Sequence, residues 1–442
     1  MKWLSLVLAL GCLSGAQAAS IAVIDSGLDY KHEMIVPNLW SNPLEVYDRR
    51  DNDGNGYQDD VHGWNFAEQN GEIIDYKYLG TFSPDCKKYF DVQGKMFLGQ
   101  ATESEIAWLR AKVEDPAFLA EMGKFGNFIH GTHVAGISIL QSNNTAMGIK
   151  LLPTEVKLAE IFAPTMKAAL FSRWDLLQKG FDLIAKTQMQ QLTQIAAFIH
   201  SHKIDVANGS FGTGFNQVKA ITDNAFKILF FRKPKEDESN KAAGMLIAAM
   251  VKHGKDFVKA APNTLFVFAA GNDGLSNDEF GTSPANIKAD NVISVGATYK
   301  NQFFASFSNY GVKNVDIAAP GMLIRSAIPG NEYLDVSGTS QAAPFVANVA
   351  AQIKDANPKL TPLEIKTILM STVDKKSFLA TRVTAGGQVN TDRAVVAAQM
   401  SVTMPVAEAV KRSRVQVQDE TSMKSMVYPK AVIPLPLSPV FR

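Results

Sequence analysis

Cysteine is nearly missing from this chain, with 2 in 442 residues, Cys12 and Cys86. A fold stapled by a disulfide framework is therefore excluded. No run of 18 apolar residues occurs, which argues against a stable membrane span. Neither sign of charge dominates: 44 Lys and Arg stand against 43 Asp and Glu, a net +1. Nothing in that balance points to a nucleic-acid or polyanion partner. Internal repeats are absent too, so the chain is not a solenoid or an array.

What is present is enough apolar material for a large core, 46% of the residues. The first nineteen residues stand apart. Lys2 precedes the apolar stretch Trp3 to Leu10, and small residues follow up to Ala16-Gln17-Ala18-Ala19. That order reads as a signal peptide over 1–19 and implies a secreted or periplasmic protein. Cys12 lies inside it, and Ala9-Leu10-Gly11 is a poor match to a lipoprotein signal. With the signal removed, Cys86 has no partner for a disulfide.

Ile21–Ile24 reads as a buried strand running into Asp25, and Ile204–Ala207, Thr264–Ala270 and Val292–Ala297 read the same way. Amphipathic stretches around 173–200, 215–231 and 241–260 lie between them. Buried strands alternating with helices predict an α/β fold, a mostly parallel central sheet with helices on both faces. Ala342, Val346, Val349, Ala350 and Ile353 predict a further helix that Pro358 closes. Thr361-Pro362-Leu363-Glu364 predicts the capped start of another. From about 399 the composition turns basic and then proline-rich, which predicts a removable tail over 399–442 after a domain spanning 20–398.

Three segments carry chemistry. Ile21-Ala22-Val23-Ile24-Asp25-Ser26-Gly27 ends a strand in a carboxylate. His130-Gly131-Thr132-His133-Val134-Ala135-Gly136 offers an imidazole, and Gly338-Thr339-Ser340-Gln341-Ala342-Ala343-Pro344 offers a hydroxyl just before a helix. Alone, each has a plain reading: a turn aspartate, a pair of histidines three apart that would suit a metal, and a helix N-cap. In the order Asp, His, Ser they supply the orienting acid, base and nucleophile of acyl transfer. The chain resembles the subtilisin-like serine proteases (subtilases, peptidase family S8), over about 21–30, 126–140, 204–215, 264–274 and 282–376.

The resemblance implies a three-layer subtilisin-like fold and a serine endopeptidase acting on protein or peptide substrates. It implies Asp25, His130 and Ser340 as the triad, and Asn272 in Ala270-Gly271-Asn272-Asp273 as the amide donor to the oxyanion. It implies Ser210, Phe211, Gly212, Ala269 and Gly271 as the lining of a specificity pocket for a large apolar side chain. A cis Ser283–Pro284 bond follows from the same match.

The loop Asp51-Asn52-Asp53-Gly54-Asn55-Gly56-Tyr57-Gln58-Asp59-Asp60 places oxygen ligands at its first, third, fifth and ninth positions, with glycine at the sixth. That spacing predicts a structural Ca²⁺ held by Asp51, Asp53, Asn55, Tyr57, Asp59 and Asp60, completed by Asp60 or by a remote carboxylate. Position twelve is His62 where an EF-hand has glutamate. The chain also departs from the family pattern. Only Ser20 to Ile24 separate the predicted cleavage site from Asp25, which leaves no room for an N-terminal pro-domain. Insertions occupy about 40–125, 163–203 and 215–262, and such loops can narrow substrate choice. The alternatives to a general endopeptidase are a narrow-specificity maturation protease and a catalytically silent, calcium-stabilised binding protein.

Overall fold

A computed structural model describes residues 18–155 and 173–419. Residues 1–17 of the predicted signal peptide, residues 156–172 with the start of the insertion placed at 163–203, and the chain beyond 419 lie outside these described residues. Seven strands form the parallel body of the sheet. They are β1 (Ser20–Asp25), β2 (Gly63–Asn65), β3 (Thr145–Lys150), β4 (Val206–Gly209), β5 (Leu265–Ala269), β6 (Val292–Tyr299) and β7 (Ile317–Pro320). Their order across the sheet is β7-β6-β5-β4-β1-β3-β2. Short strands at Asp374–Lys375 and Gly387–Gln388 extend the β7 edge, and Phe303–Phe304 pairs with β6. β1 is central, parallel to β3 on one side and β4 on the other.

Alternation along β1 explains the layers. Ile21 and Val23 point into one core, Ala22 and Ile24 into the other. A strand buried on both faces has no polar side to spare, hence the unbroken apolar run. The first core is closed by the second half of α3 (Pro116–Ser138) and by α7 (Thr339–Ala356), α8 (Pro362–Ser371) and α9 (Thr391–Ser401). The second is closed by α4 (Arg173–Ser201), α5 (Phe215–Phe230) and α6 (Glu236–Lys259). The expected α/β architecture with helices on both faces is what forms. α8 begins as its sequence predicts: Thr361 Oγ1 accepts the Glu364 amide at 3.3 Å, and the Glu364 carboxylate accepts the Thr361 amide at 2.9 Å.

A separate, smaller core belongs to the first insertion. α1 (Pro84–Phe97), α2 (Glu103–Val113) and the first half of α3 bury Tyr89, Phe90, Leu109, Phe118, Met122 and Phe125 against Ile328 and Val336. Those last two residues belong to an antiparallel hairpin, β8 (Ile324–Ile328) with β9 (Glu332–Val336). Cys86 is buried and unpaired in this core, and burial pushes its thiol up to about 11, so it is protonated and unreactive near neutrality.

The composition break at 399 does not coincide with a break in packing. Residue 399 lies inside α9, and α10 (Val406–Gln416) packs onto α8 and α9. Two arginines, one on each side of residue 399, tie this part of the chain to the domain. Arg414 donates to the Ser371 carbonyl at 2.5 Å. Arg393 is fully buried, donates to the carbonyls of Thr372, Val373 and Val417, and pairs with Asp374 at 3.2 Å and Asp419 at 2.6 Å.

Replacing Arg393 by methionine removes that knot while keeping much of its volume. The expected result is a loss of roughly 3 kcal/mol in urea unfolding, with proteolytic nicking after residue 401 appearing first. An unchanged midpoint would refute the assignment.

Candidate active site

β1 ends at Asp25, which is fully buried. Its Oδ1 accepts the Ser26 amide at 2.8 Å and pairs with His130 Nδ1 at 2.7 Å. Its Oδ2 is buried and has no hydrogen-bond partner. With the proton on Nδ1, Nε2 is the acceptor nitrogen of the ring. Two glycines allow the strand end and the helix to approach this closely. At Gly131 an added Cβ would stand 1.9 Å from the Gly27 carbonyl oxygen. At Gly27, whose φ is +98°, it would stand 1.9 Å from the Ile73 carbonyl oxygen. The Gly131 amide also donates to Ser26 Oγ at 3.1 Å. His130 sits well inside α3, because residues 116–129 extend that helix toward its N-terminus.

Ser340 is the second residue of α7, so its N–H lies at the positive end of the helix. Pro344 lacks the amide that would bond the Ser340 carbonyl four residues back. Ser210 Oγ donates to that carbonyl at 2.8 Å, and Ser340 Oγ donates to the Ser210 carbonyl at 3.1 Å. Asn208 Nδ2 donates to Ser210 Oγ at 2.9 Å. Ser210, predicted as pocket lining, thus has its hydroxyl committed to the serine turn.

Asn272 follows β5. Its Oδ1 accepts the Thr339 amide at 2.8 Å and the Thr339 hydroxyl at 2.9 Å. Nδ2 is thereby turned toward Gly338, where an added Cβ would lie 3.6 Å from it. His130, Asn272, Gly338 and Ser340 line one cleft. Ser210 and Ala269 close the neighbouring strands β4 and β5, and the Gly271 amide donates to Thr339 Oγ1 at 3.2 Å. Gly271 has φ +108°, and a Cβ there would meet Asn309 Nδ2 at 2.5 Å. Phe211 turns its ring into the core beside Phe268. Gly212 abuts the Ser283 carbonyl, beside the cis Ser283–Pro284 bond.

His133, one turn after His130, is buried and contacts two carbonyls through Nε2: Ile324 at 3.1 Å and Leu334 at 3.0 Å. It ties α3 to the β8–β9 hairpin, which leaves it no role beside His130 as a metal ligand. Burial, reinforced by the neighbouring His130, pulls its pKa down to about 4.

The acidic loop is rearranged relative to its linear spacing. Asp53 and Asp60 converge with His202, from just beyond α4. Asn42 Nδ2 lies 3.0 Å from both carboxylates, and Asn55 Nδ2 lies 2.9 Å from Asp60 Oδ2. Asp51 and Asp53 also converge with Glu45. Glu45 is buried; its Oε1 accepts the amides of Asn52 and Asp53 while Oε2 has no partner. A buried carboxylate oxygen left over beside two further carboxylates fits an oxygen-seeking cation such as Ca²⁺. The amides of Gly56, Gly54 and Asn55 hold the Asp51 carboxyl below its ordinary range. Asp59 is not brought in: its Oδ1 accepts the amides of Asp48 and Arg49. The Tyr57 ring packs on Trp64, Phe66 and Phe198. Glu45 and His202 were missed. Glu45 lies upstream of the motif, and His202 comes from a helix 142 positions beyond Asp60, a proximity no local pattern encodes.

A parallel α/β sheet that gathers a carboxylate, an imidazole, an amide and a serine hydroxyl around one cleft has the architecture of a serine hydrolase. The chain belongs to the subtilase family (Peptidase_S8), whose profile matches residues 16–395. Subtilisin-like protease 1 of Plasmodium vivax is 26% identical over 382 residues, 85% of this chain and 46% of that protein. Subtilisin BL of Lederbergia lenta is 39% identical over 130 residues, 29% of this chain and 45% of that one. The chain thus spans less than half the length of either. The solved structure of a cold adapted subtilisin-like serine proteinase aligns over 88% of this chain and 92% of its own, at 20% identity and a TM-score of 0.43.

His133 generates a signed pH effect. Unfolded, it takes a proton below about 6.5; folded, it stays neutral until about 4. Its stabilisation is therefore complete above about 6.5 and is lost as pH falls toward about 4, a drop of about 3 kcal/mol. Urea unfolding of a Ser340→Ala protein from pH 7 downward is expected to show this slope, reduced by about one proton in a further His133→Gln variant. Equal slopes would contradict it.

Proposed function

We propose that the chain is an exported serine endopeptidase that cuts peptide bonds through an acyl-enzyme. The observation that carries this reading is the 2.7 Å contact of His130 Nδ1 with Asp25 Oδ1, beside the cleft that His130 shares with Ser340 and Asn272. Ser340 Oγ attacks the scissile carbonyl carbon while His130 Nε2 takes its proton. Asp25 keeps the ring in the needed tautomer and stabilises the imidazolium. The charge arriving on the carbonyl oxygen is met by Asn272 Nδ2 and the Ser340 N–H, donors fixed before the reaction begins. His130 then gives the proton to the departing amine, the C–N bond breaks, and water repeats the cycle on the ester.

The acyl part of the substrate lies along 208–212 as an added strand. Its side chain enters the space between Ser210–Gly212 and Ala269–Gly271, where small residues leave room for a large apolar group. Export rests on the pattern of residues 1–19. The helical cap beside the cleft favours narrow selection over general degradation. Glu45, Asp51, Asp53, Asn55 and Asp60 would hold Ca²⁺, which would cross-link the loop 45–60 to itself.

Two tests separate these claims. Fluorophosphonate is expected to label Ser340, with labelling lost and hydrolysis lowered about 10⁶-fold in Ser340→Ala. Asn272→Ala is expected to lower kcat about 10²- to 10³-fold with KM little changed. A folded protein that resists labelling would instead favour the silent binding protein. For the cation, calorimetry of the Ser340→Ala protein is expected to show Tm falling by roughly 5–10 °C on chelation, with recovery by Ca²⁺. Asp53→Asn is expected to abolish that response; a Tm indifferent to chelator would remove calcium from the account.

A further inference from the structure

We infer that the inserted helical cap closes the leaving-group side of the cleft, so that the enzyme takes only glycine, alanine or serine immediately after the bond it cuts. The inference rests on the proposed peptidase reading. Ser340 Oγ bonds the Ser210 carbonyl, so the 208–212 segment that receives the acyl part lies on one side of the nucleophile. The departing amine must leave on the other side. There the cleft is walled by His133, Val336 and Gln341 together with Phe90 of the insertion and Gly126 and Ile129 of α3. Gly126 and Ile129 belong to the N-terminal extension of α3, and Phe90 to α1.

Size decides what this side admits. The whole cleft, which His130, Asn272, Ser337, Gly338 and Ser340 also line, holds only about 10 Å³ of free volume, room for roughly one water-sized group. The methyl of alanine or the hydroxymethyl of serine is near that size; a leucine or phenylalanine side chain is several times larger. The wall is also held in place. Phe90 is only 3% exposed, with its ring centroid 5.7 Å from Tyr89 and 6.2 Å from Phe125. The cap is fastened to the hairpin that precedes Ser340: Lys87 pairs with Glu332 of β9, and Leu323 packs against the α1 backbone at Gly94. A close-packed aromatic core does not yield to admit extra methylenes without strain.

The leaving-group side can be read separately from the acyl side by nucleophile capture. A peptide ester ending in phenylalanine acylates Ser340, and an added amino acid amide competes with water for the ester. The amine nitrogen attacks the ester carbonyl, the C–Oγ bond breaks, and His130 passes the amine proton to Ser340 Oγ. Mass spectrometry counts the products. Glycinamide and alaninamide are expected to be captured about 10²-fold better than leucinamide or phenylalaninamide. Phe90→Ala is expected to raise leucinamide capture relative to alaninamide at least 10-fold, and Phe90→Leu, which keeps the cap apolar, to fall between. Equal capture of all four amides by the wild type would overturn the inference, as would an unchanged preference in both folded variants. A folded wild type that forms no acyl-enzyme at all would overturn the peptidase reading and this inference with it.

Discussion

The buried hydrogen bond between Asp25 and His130 is the constraint around which the molecule is arranged. A carboxylate taken fully out of water is costly unless its oxygens are met. At Asp25 one oxygen takes the Ser26 amide and the imidazole, and the other takes nothing. The compensation is concentrated on a single atom, so the strand end and the helix must be held in register. The central place of β1, the turn at Gly27 and the contact of Gly131 with the Gly27 carbonyl provide that register. A side chain at Gly131 would push α3 off the strand end and part the pair, and one at Gly27 would strike the Ile73 carbonyl and disturb the turn.

The nucleophile is secured by a different device. Pro344 opens a gap in the first turns of α7, and the Ser210 hydroxyl fills it, so the end of β4 and the start of α7 are bonded in both directions. Thr339 orients the Asn272 amide in the same few residues. His130, Ser340 and Asn272, the proposed base, nucleophile and amide donor, therefore come from three elements locked by short polar contacts around one cleft. Above it, the inserted cap contributes a core of its own, resting on β8–β9, the hairpin that His133 ties to α3.

Much of this was legible because the chemistry is written in contiguous segments. Asp25, His130, Asn272 and Ser340 each sit in a short motif, and alternating buried strands and helices suffice for the fold class. What was not legible depends on distant chain meeting distant chain. Glu45 and His202 reach the acidic loop from outside its motif, and Asp59 leaves it for the backbone of Asp48 and Arg49. Ser210 reads as pocket lining until Pro344 shows which carbonyl needs a donor. The boundary drawn at 399 falls inside α9, and the sequence does not show that Arg393 and the half-buried Arg414 donate to carbonyls of the domain. Phe90 carries no motif at all; only the packing of α1 against β9 brings it to the cleft.

The most direct test of the account is nitrogen and proton NMR of histidine-labelled protein in its native state, compared with Asp25→Ala. The account predicts one imidazole with its proton fixed on Nδ1 and strongly deshielded, a signal that disappears in the variant while the fold persists. A His130 ring that exchanges freely between tautomers, or a spectrum unchanged without Asp25, would contradict the claim that this buried pair organises the site.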